Sequence, residues 1–309
     1  MSDDSYFELR ISINPEIEDI VSEICFANFN CEGVVLAEEA YKDLEMISTT
    51  EGTLKVFLTS DSIKNIDEIR HVLSENRELM KHRGLSDDEL GSWDISFEEK
   101  DNQDWSKKWK ENWDVTHISD NIAIVPSWLS YTPKENEITV SLDPGHAFGT
   151  GTHQTTQLCV TAMEQYPEKL QGTKVADIGT GSGILAIIAK KMGAESVYGC
   201  DNDEEVISVA QENALKNNVD CKFEYNTADK VSDQFDFVCA NILHNILAEI
   251  MPDLKNIMAD GGIMALSGIL DEKKPVVIEA IKKNGLNILK ENHQNQWVSF
   301  VVSKYEGTK

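Results

Sequence analysis

The chain has 309 residues, and 54 acidic against 28 basic side chains give it a formal net charge of -26. That length exceeds what one hydrophobic core usually serves, so the sequence predicts two domains. A hydrophobic content of 41% excludes wholesale disorder. With a pI near 4.5, the surface repels phosphate groups, so we expect no direct binding to nucleic acid or to an anionic membrane. A basic protein partner is electrostatically favoured.

Six cysteines are scattered along the chain without a C-x-x-C pair, so we expect reduced thiols. The N-terminal sequence MSDDSYFELR lacks the apolar segment of a secretion signal. No later run approaches the roughly 18 apolar residues of a membrane span. These features predict a cytoplasmic protein, which we expect to be a monomer.

In residues 1–100, segments of alternating apolar and polar residues predict strands, and segments with apolar residues every three to four positions predict helices. The predicted order is β-α-β-β-α-β. The segments are YFELRISI, PEIEDIVSEICFANF, GVVLAE, LKVFLT, SIKNIDEIRHVLSENRELMK and WDISFEE. This order predicts a small ferredoxin-like α+β domain, an open sheet with two helices on one face. It holds no constellation of catalytic residue types, so the pattern indicates a binding or positioning domain.

Residues 101–144 have the character of a linker between domains. Trp105, Trp109 and Trp113 recur every fourth residue, so a helix would bring them to one face. Large aromatic rings are usually buried, so we favour an apolar stripe between domains over a patch that grips substrate. Two short strands, in NIAIVPSW and ITVSLD, follow the Trp-rich segment.

The remainder, residues 145–309, alternates strands and helices and predicts a doubly wound, mostly parallel sheet. The strands are KVADI, SVYGC, CKFEY, FDFVCA and GIMALSG, and helices are expected over 184–192, 204–217, 244–258 and KKPVVIEAIKK. The last two strands, LNILKEN and QWVSFVVSK, are joined by only HQNQ. A connection this short predicts a hairpin, and therefore an antiparallel last strand.

A glycine-rich turn lies between the first strand and first helix of this sheet, where such folds bind ligands. Its sequence is DIGTGSG, and Gly179 and Gly181 allow a close approach of the backbone to a cofactor. A dinucleotide fingerprint requires a glycine where Ile184 stands. The spacing instead resembles the S-adenosylmethionine loop of Rossmann-like methyltransferases.

Two further polar residues end neighbouring strands of the predicted sheet. Asp201 follows the second strand, where its two oxygens can accept hydrogen bonds from both ribose hydroxyls. The alternative is a helix cap, which fits Asp203 better. Asn241 follows the fourth strand and can orient the amine to be methylated, unless it caps the helix that begins near His244. No Pro-Pro-aromatic run follows Asn241, which favours an aliphatic amine over a base or a flat amide.

The run LDPGHAFGTGTHQTT leads from a strand into a helix and can cover the cofactor, with Phe148 as an apolar lid. Thr156 lies near the start of that helix, where backbone donors favour an anionic group such as the methionine carboxylate. His146 and His153 have no carboxylate or cysteine at zinc spacing, so we predict no metal.

Together, LDPGHAFGTGTHQTT, VADIGTGSGILAI, GCDND, ANIL and LSGIL resemble the ribosomal protein L11 methyltransferase family. DWSKKWKENW and IVPSW are similar to its linker, so the resemblance covers nearly the whole chain. It implies a class I methyltransferase domain that uses S-adenosylmethionine to methylate lysine or N-terminal amines of a basic ribosomal protein. The first domain would then recognise the substrate. The cofactor contacts that the resemblance implies are Thr156, Gly179, Asp201 and Asn241.

Two alternatives remain open at this stage. The chain could methylate another protein or a small amine. It could also be a non-catalytic acidic module that holds a basic ribosomal protein by charge alone. Cofactor binding separates the two classes, because binding by charge alone disappears in salt and needs no cofactor.

Overall fold

The structure is a computed structural model, and it describes residues 5–29, 31–37, 52–59, 66–82, 84–101, 114–143 and 153–304. The chain divides into two compact units. Among the described residues, the first unit ends at Asp114 and the second begins at Val115. The Trp-rich segment and most of the LDPGHAFGTGTHQTT run lie outside the described residues. The interpretations of the three tryptophans, Phe148 and His146 therefore stay predictions.

The first unit contains one four-stranded antiparallel sheet in the order β2-β3-β1-β4. Its elements are β1 (Ser5–Ile13), α1 (Glu18–Asn28), β2 (Cys31–Ala37), β3 (Gly52–Thr59), α2 (Ile66–His82), α3 (Asp87–Leu90) and β4 (Ile95–Asp101). The predicted β-α-β-β-α-β order is confirmed, with the short helix α3 as an addition. This strand order is the ferredoxin-like arrangement.

Alternation along β1 builds the core of this unit. Leu9, Ile11 and Ile13 are fully buried and share one cluster with Val21 of α1 and Leu73 of α2. Because successive side chains of a strand point to opposite faces, every second residue faces the helices. Both long helices therefore pack on one face of the sheet.

The second unit is built around a seven-stranded sheet in the order β10-β9-β8-β11-β12-β14-β13. The strands are β8 (Lys174–Ile178), β9 (Ser196–Asp201), β10 (Lys222–Tyr225), β11 (Phe235–Asn241), β12 (Met258–Leu270), β13 (Leu286–Gln294) and β14 (Trp297–Lys304). The helices are α4 (Gln154–Gln165), α5 (Ile184–Lys191), α6 (Glu204–Lys216), α7 (His244–Ile257) and α8 (Lys274–Lys283). The predicted alternation of strands and helices is confirmed.

Strand β14 is antiparallel to both of its neighbours, β12 and β13, whereas the other pairings in this sheet are parallel. The predicted antiparallel last strand is thus confirmed. Strand β13 extends to Gln294, so the turn is shorter than HQNQ, and Asn295 in it has a positive φ of 51°. Asparagine tolerates this left-handed conformation better than most residues.

Helices cover both faces of the large sheet. Helices α4, α5 and α6 share one apolar cluster, and α7 and α8 share the other. In β11, Phe237 and Cys239 belong to the first cluster, and Val238 and Ala240 belong to the second. Burial on both faces explains why the central strands read as continuous apolar runs. Among the described helices, none is long and apolar enough to cross a membrane.

A small three-stranded sheet precedes α4 and belongs to the second unit. Its strands are β5 (Thr116–His117), β6 (Ile122–Val125) and β7 (Ile138–Ser141). Ile122 and Val140 are buried in the same cluster as α5. The side chain of Asn217 accepts a hydrogen bond from the N–H of Ser141 at 2.8 Å and donates one to its carbonyl oxygen at 2.7 Å. These contacts attach the small sheet to the core of this unit.

Candidate active site

The parallel strands of the large sheet end at a common edge. Ile178, the last residue of β8, is paired with Cys200 in β9 and with Ala240 in β11. Asn241, the last residue of β11, is paired with Ser267 in β12. The residues that end or follow these strands therefore meet at one level, which is where ligands bind in open α/β sheets.

The glycine-rich turn after β8 has a left-handed backbone at each of its three glycines. Gly179, Gly181 and Gly183 have φ angles of 73°, 51° and 79°. A Cβ atom on Gly179 would overlap the side chain of Ile242. Any other residue at position 179 would therefore strain the turn or displace Ile242, which follows the neighbouring strand β11.

Asp201 lies beside this turn, at the end of β9. One oxygen of its carboxylate accepts the N–H of Gly181 at 3.0 Å, and the other accepts the N–H of Asp203 at 3.3 Å. Burial raises the pKa of this carboxyl group. Each carboxylate oxygen can accept a further hydrogen bond, so the group can receive two ribose hydroxyls.

Asp203, two residues later, has the capping role that the sequence predicts for it. It is the N-cap of α6, and its side chain accepts the N–H of Glu205 at 2.9 Å. The two neighbouring aspartates therefore have different roles. Asp203 caps the helix, and Asp201 can contact a ligand.

Asp177 lies beneath the glycine turn and was not identified as a site residue from the sequence. Its side chain is 1% exposed, and one oxygen accepts hydrogen bonds from the Thr180 hydroxyl at 2.8 Å and the Ala186 N–H at 3.2 Å. Burial raises the pKa of Asp177 to about 7. The contacts connect the end of β8, the turn and the first part of α5 through one side chain.

Asn241 and Thr156 meet in the interior at the same sheet edge. Their side chains are 7% and 1% exposed, and the amide nitrogen of Asn241 lies 3.5 Å from the Thr156 hydroxyl. The amide oxygen of Asn241 is buried and has no hydrogen-bond partner among the described residues. The N-cap of α7 is Leu243, so the alternative role of Asn241 as that cap is wrong.

Two residues that the sequence did not assign to the site hold the start of α4. His153 is the N-cap of this helix, and its ring nitrogen Nδ1 accepts the N–H of Thr155 at 3.3 Å. Ser267 is fully buried and donates its hydroxyl to the carbonyl oxygen of Thr155 at 2.8 Å. The end of β12 thereby fixes the first turn of the helix that contains Thr156.

The site thus combines a glycine turn, the carboxylate of Asp201 and a buried polar pair at one edge of a seven-stranded sheet. The family model for ribosomal protein L11 methyltransferase (PrmA) matches residues 5–305. The chain belongs to this family. The predicted family and methyltransferase activity are therefore confirmed, as is the Rossmann-like class I methyltransferase fold preceded by a ferredoxin-like domain.

Individual members of the L11 methyltransferase family resemble the chain over most of its length. The protein from Alkaliphilus oremlandii (strain OhILAs) is 36% identical over 94% of this chain and 90% of its own length. The protein from Caldicellulosiruptor saccharolyticus is 34% identical over 97% of this chain and 99% of its own length. The crystal structure of ribosomal protein L11 methylase from Lactobacillus delbrueckii subsp. bulgaricus has a TM-score of 0.59 at 36% identity. The match covers 62% of this chain and 99% of that one.

Proposed function

We propose that this methyltransferase uses S-adenosylmethionine to methylate amine groups of ribosomal protein L11, on lysine side chains, the N-terminal α-amine or both. Family membership supports the ribosomal protein as substrate. The net charge of -26 complements a basic protein. One observation supports the amine chemistry above the others, namely the buried, unpartnered amide oxygen of Asn241 at the ligand-binding edge.

The residues around this edge fit the methyl donor. Asp201 would accept the ribose hydroxyls, and the turn at Gly179 and Gly181 would let the backbone approach the cofactor. Thr156 lies in the first turn of α4, where the positive end of the helix dipole favours a carboxylate. When bound, S-adenosylmethionine supplies a methyl group on a positively charged sulfur, and displacement at that methyl requires a correctly aligned nucleophile.

The task left to the protein is to hold a neutral amine in line. Proximity and orientation alone can supply about 7 to 11 kcal/mol, so a side-chain base is not obligatory. An unpaired acceptor in a buried site costs free energy until a donor reaches it, so the Asn241 oxygen favours an incoming N–H. Because the amide is uncharged, it stabilises the protonated ammonium form less than a carboxylate at the same place would. We therefore assign Asn241 as the catalytic residue of the proposal.

We further propose a division of work along the chain. Residues 1–100 recognise the substrate, and residues 145–309 bind the cofactor and transfer the methyl group. Residues 101–144 lead from one to the other and include the small sheet that packs in the second unit. The described residues of the proposed cofactor site all lie in the second unit, which supports this division. We propose that the protein acts as a cytoplasmic monomer, in keeping with six free cysteines.

The test is methyl transfer from labelled S-adenosylmethionine to purified ribosomal protein L11, followed by mass spectrometry of the modified residues. We expect label in L11 and calorimetric binding of S-adenosylhomocysteine. Binding to L11 that disappears in salt, without cofactor binding or label transfer, would instead identify an acidic binding module.

A further inference from the structure

A second buried polar atom without a partner lies one helical turn from Thr156. Atom Nε2 of His153 is buried and makes no hydrogen bond to the described residues. Its ring and the ring of Trp297 form a T-shaped pair, with 5.0 Å between the ring centroids. The backbone carbonyl of the same residue accepts the N–H of Thr156 at 3.1 Å, so the two residues belong to one turn.

One contact at the other ring nitrogen favours a tautomer with the proton on Nε2. Atom Nδ1 of His153 accepts the backbone N–H of Thr155 at 3.3 Å. A backbone N–H can only donate, so Nδ1 must present a lone pair. The Thr155 hydroxyl, 2.7 Å away, can donate to the same nitrogen. In the neutral imidazole the proton is then on Nε2, and the unpartnered atom is a donor.

The contacts of the ring also bear on whether His153 could act as a base. His153 caps a helix of 12 residues through Nδ1. A base would need a lone pair facing the amine, whereas Nδ1 is engaged with the helix and Nε2 presents hydrogen. His153 is therefore not suited to remove a proton from the substrate.

We propose that the Nε2–H of His153 donates a hydrogen bond to an oxygen acceptor of the bound ligand, and thereby positions the ligand against Asn241 and Thr156. This inference rests on the proposed function, because it needs a ligand at this edge. The unpartnered amide oxygen of Asn241, a residue 7% exposed that contacts Thr156, is the second, independent sign that a ligand completes this edge of the sheet. The acceptor is a carboxylate or carbonyl oxygen, which either the methionine portion of the cofactor or the substrate backbone can provide.

Two substitutions separate the cap from the donor. His153→Asn keeps an acceptor where Nδ1 lies, but it is too short to replace Nε2–H. His153→Gln can place an amide N–H near the position of Nε2, but it caps poorly. We expect the melting temperature of His153→Asn to match wild type and that of His153→Gln to fall by about 2 to 4 °C. For ligand affinity or turnover we expect the opposite ranking, with a larger loss in His153→Asn than in His153→Gln.

Calorimetry with two probes identifies the acceptor. If it is the methionine carboxylate, His153→Asn should bind S-adenosylhomocysteine about tenfold or more weakly. Binding of methylthioadenosine, which lacks that carboxylate, should not change. If the acceptor is a substrate carbonyl, both affinities should stay at wild-type values and KM for ribosomal protein L11 should rise about twofold to tenfold.

Three results would overturn the inference. In the first, His153→Asn matches wild type in both affinities and in KM. In the second, His153→Gln loses as much ligand affinity or turnover as His153→Asn does. The pH–rate profile could also lose its acid limb in His153→Asn, which would make His153 a proton acceptor. Failure of the proposed function would look different, because the wild-type protein would then neither bind S-adenosylhomocysteine nor transfer label.

Discussion

The amide nitrogen of Asn241 and the hydroxyl of Thr156 lie 3.5 Å apart, although 85 residues separate them in the chain. One side chain ends a central strand and the other begins a helix. The contact is at the long limit of a hydrogen bond. In this orientation the amide nitrogen faces Thr156, which leaves the amide oxygen free for a ligand.

Removal of the Thr156 hydroxyl should therefore slow methyl transfer by loosening Asn241. Thr156→Val keeps the shape of the side chain, and a lost neutral hydrogen bond predicts a single-turnover rate about twofold to tenfold lower. Thr156→Ser is the matched control, since it retains the hydroxyl and should stay closer to wild type. Rates should be measured at saturating cofactor. Equal rates for the Val and Ser variants would show that the hydroxyl does not orient the amide.

Asp201 and Asp203 offer a second matched pair. Asp201→Ala removes a charged acceptor of the proposed ribose contact, which should weaken S-adenosylhomocysteine binding by about 1.5 to 3 kcal/mol. Asp203→Ala removes the N-cap of α6 and should cost about 1 kcal/mol of folding stability without changing that affinity. Calorimetry and thermal unfolding of both variants check the prediction. An unchanged dissociation constant in folded Asp201→Ala would remove Asp201 from the cofactor site.

The main site residues could be predicted because they are local features of sequence. Gly179, Asp201 and Asn241 each end or follow an apolar strand, and the carboxyl ends of parallel strands meet at one edge. The strand pattern alone therefore brings them together. That pattern also distinguished Asp203, whose position just before a helix predicts a cap.

The supporting contacts could not be read in the same way. The hydroxyl of Ser267 reaches the carbonyl oxygen of Thr155 across 112 residues, which depends on the register of β12 and on the position of α4. The sequence does not predict the cap formed by His153, because histidine is an unusual N-cap. Asp177 was read as part of a motif, but its burial and its two hydrogen bonds appear only once the turn is folded.

The position of the small sheet predicts how the chain can be shortened. A protein that begins at Asp114 keeps β5 to β7, so it should fold and bind S-adenosylhomocysteine with near wild-type affinity. It should not methylate ribosomal protein L11, because it lacks the proposed recognition domain. A protein that begins after Asp143 loses Ile122 and Val140 from the core and should unfold at a lower temperature or fail to fold. Wild-type methylation of L11 by the longer protein would show that residues 1–100 are not needed for recognition.

Asp177 predicts a dependence of stability on pH. Its pKa is raised to about 7 in the folded protein, against about 3.9 in an unfolded chain. The folded state therefore binds its proton more tightly, and this group destabilises the fold progressively as pH rises from about 4 to 7. Asp177→Asn imitates the neutral acid, because its amide oxygen can still accept from Thr180 and Ala186.

The quantity to measure is the unfolding free energy of Asp177→Asn minus that of wild type, at pH 5 and at pH 8. Subtraction removes the contributions of groups that both proteins share. We expect the difference to increase with pH. A difference that stays constant would mean that Asp177 is ionised throughout this range despite its burial.

Asn241 permits the sharpest test of how the amine is held. Asn241→Ala removes the acceptor and should lower the single-turnover rate at saturating cofactor, because the contact matters most when the nitrogen is at attack distance. Asn241→Asp keeps an acceptor of similar shape but adds a negative charge, which favours the protonated, unreactive ammonium. Both variants should therefore be slow at neutral pH, and only Asn241→Asp should recover partly as pH rises and the amine loses its proton. Binding of S-adenosylhomocysteine, measured alongside, separates an effect on the cofactor from an effect on the amine. Wild-type rates in both variants would exclude Asn241 from the reaction, and an equal response of the two variants to pH would contradict its role as an uncharged acceptor.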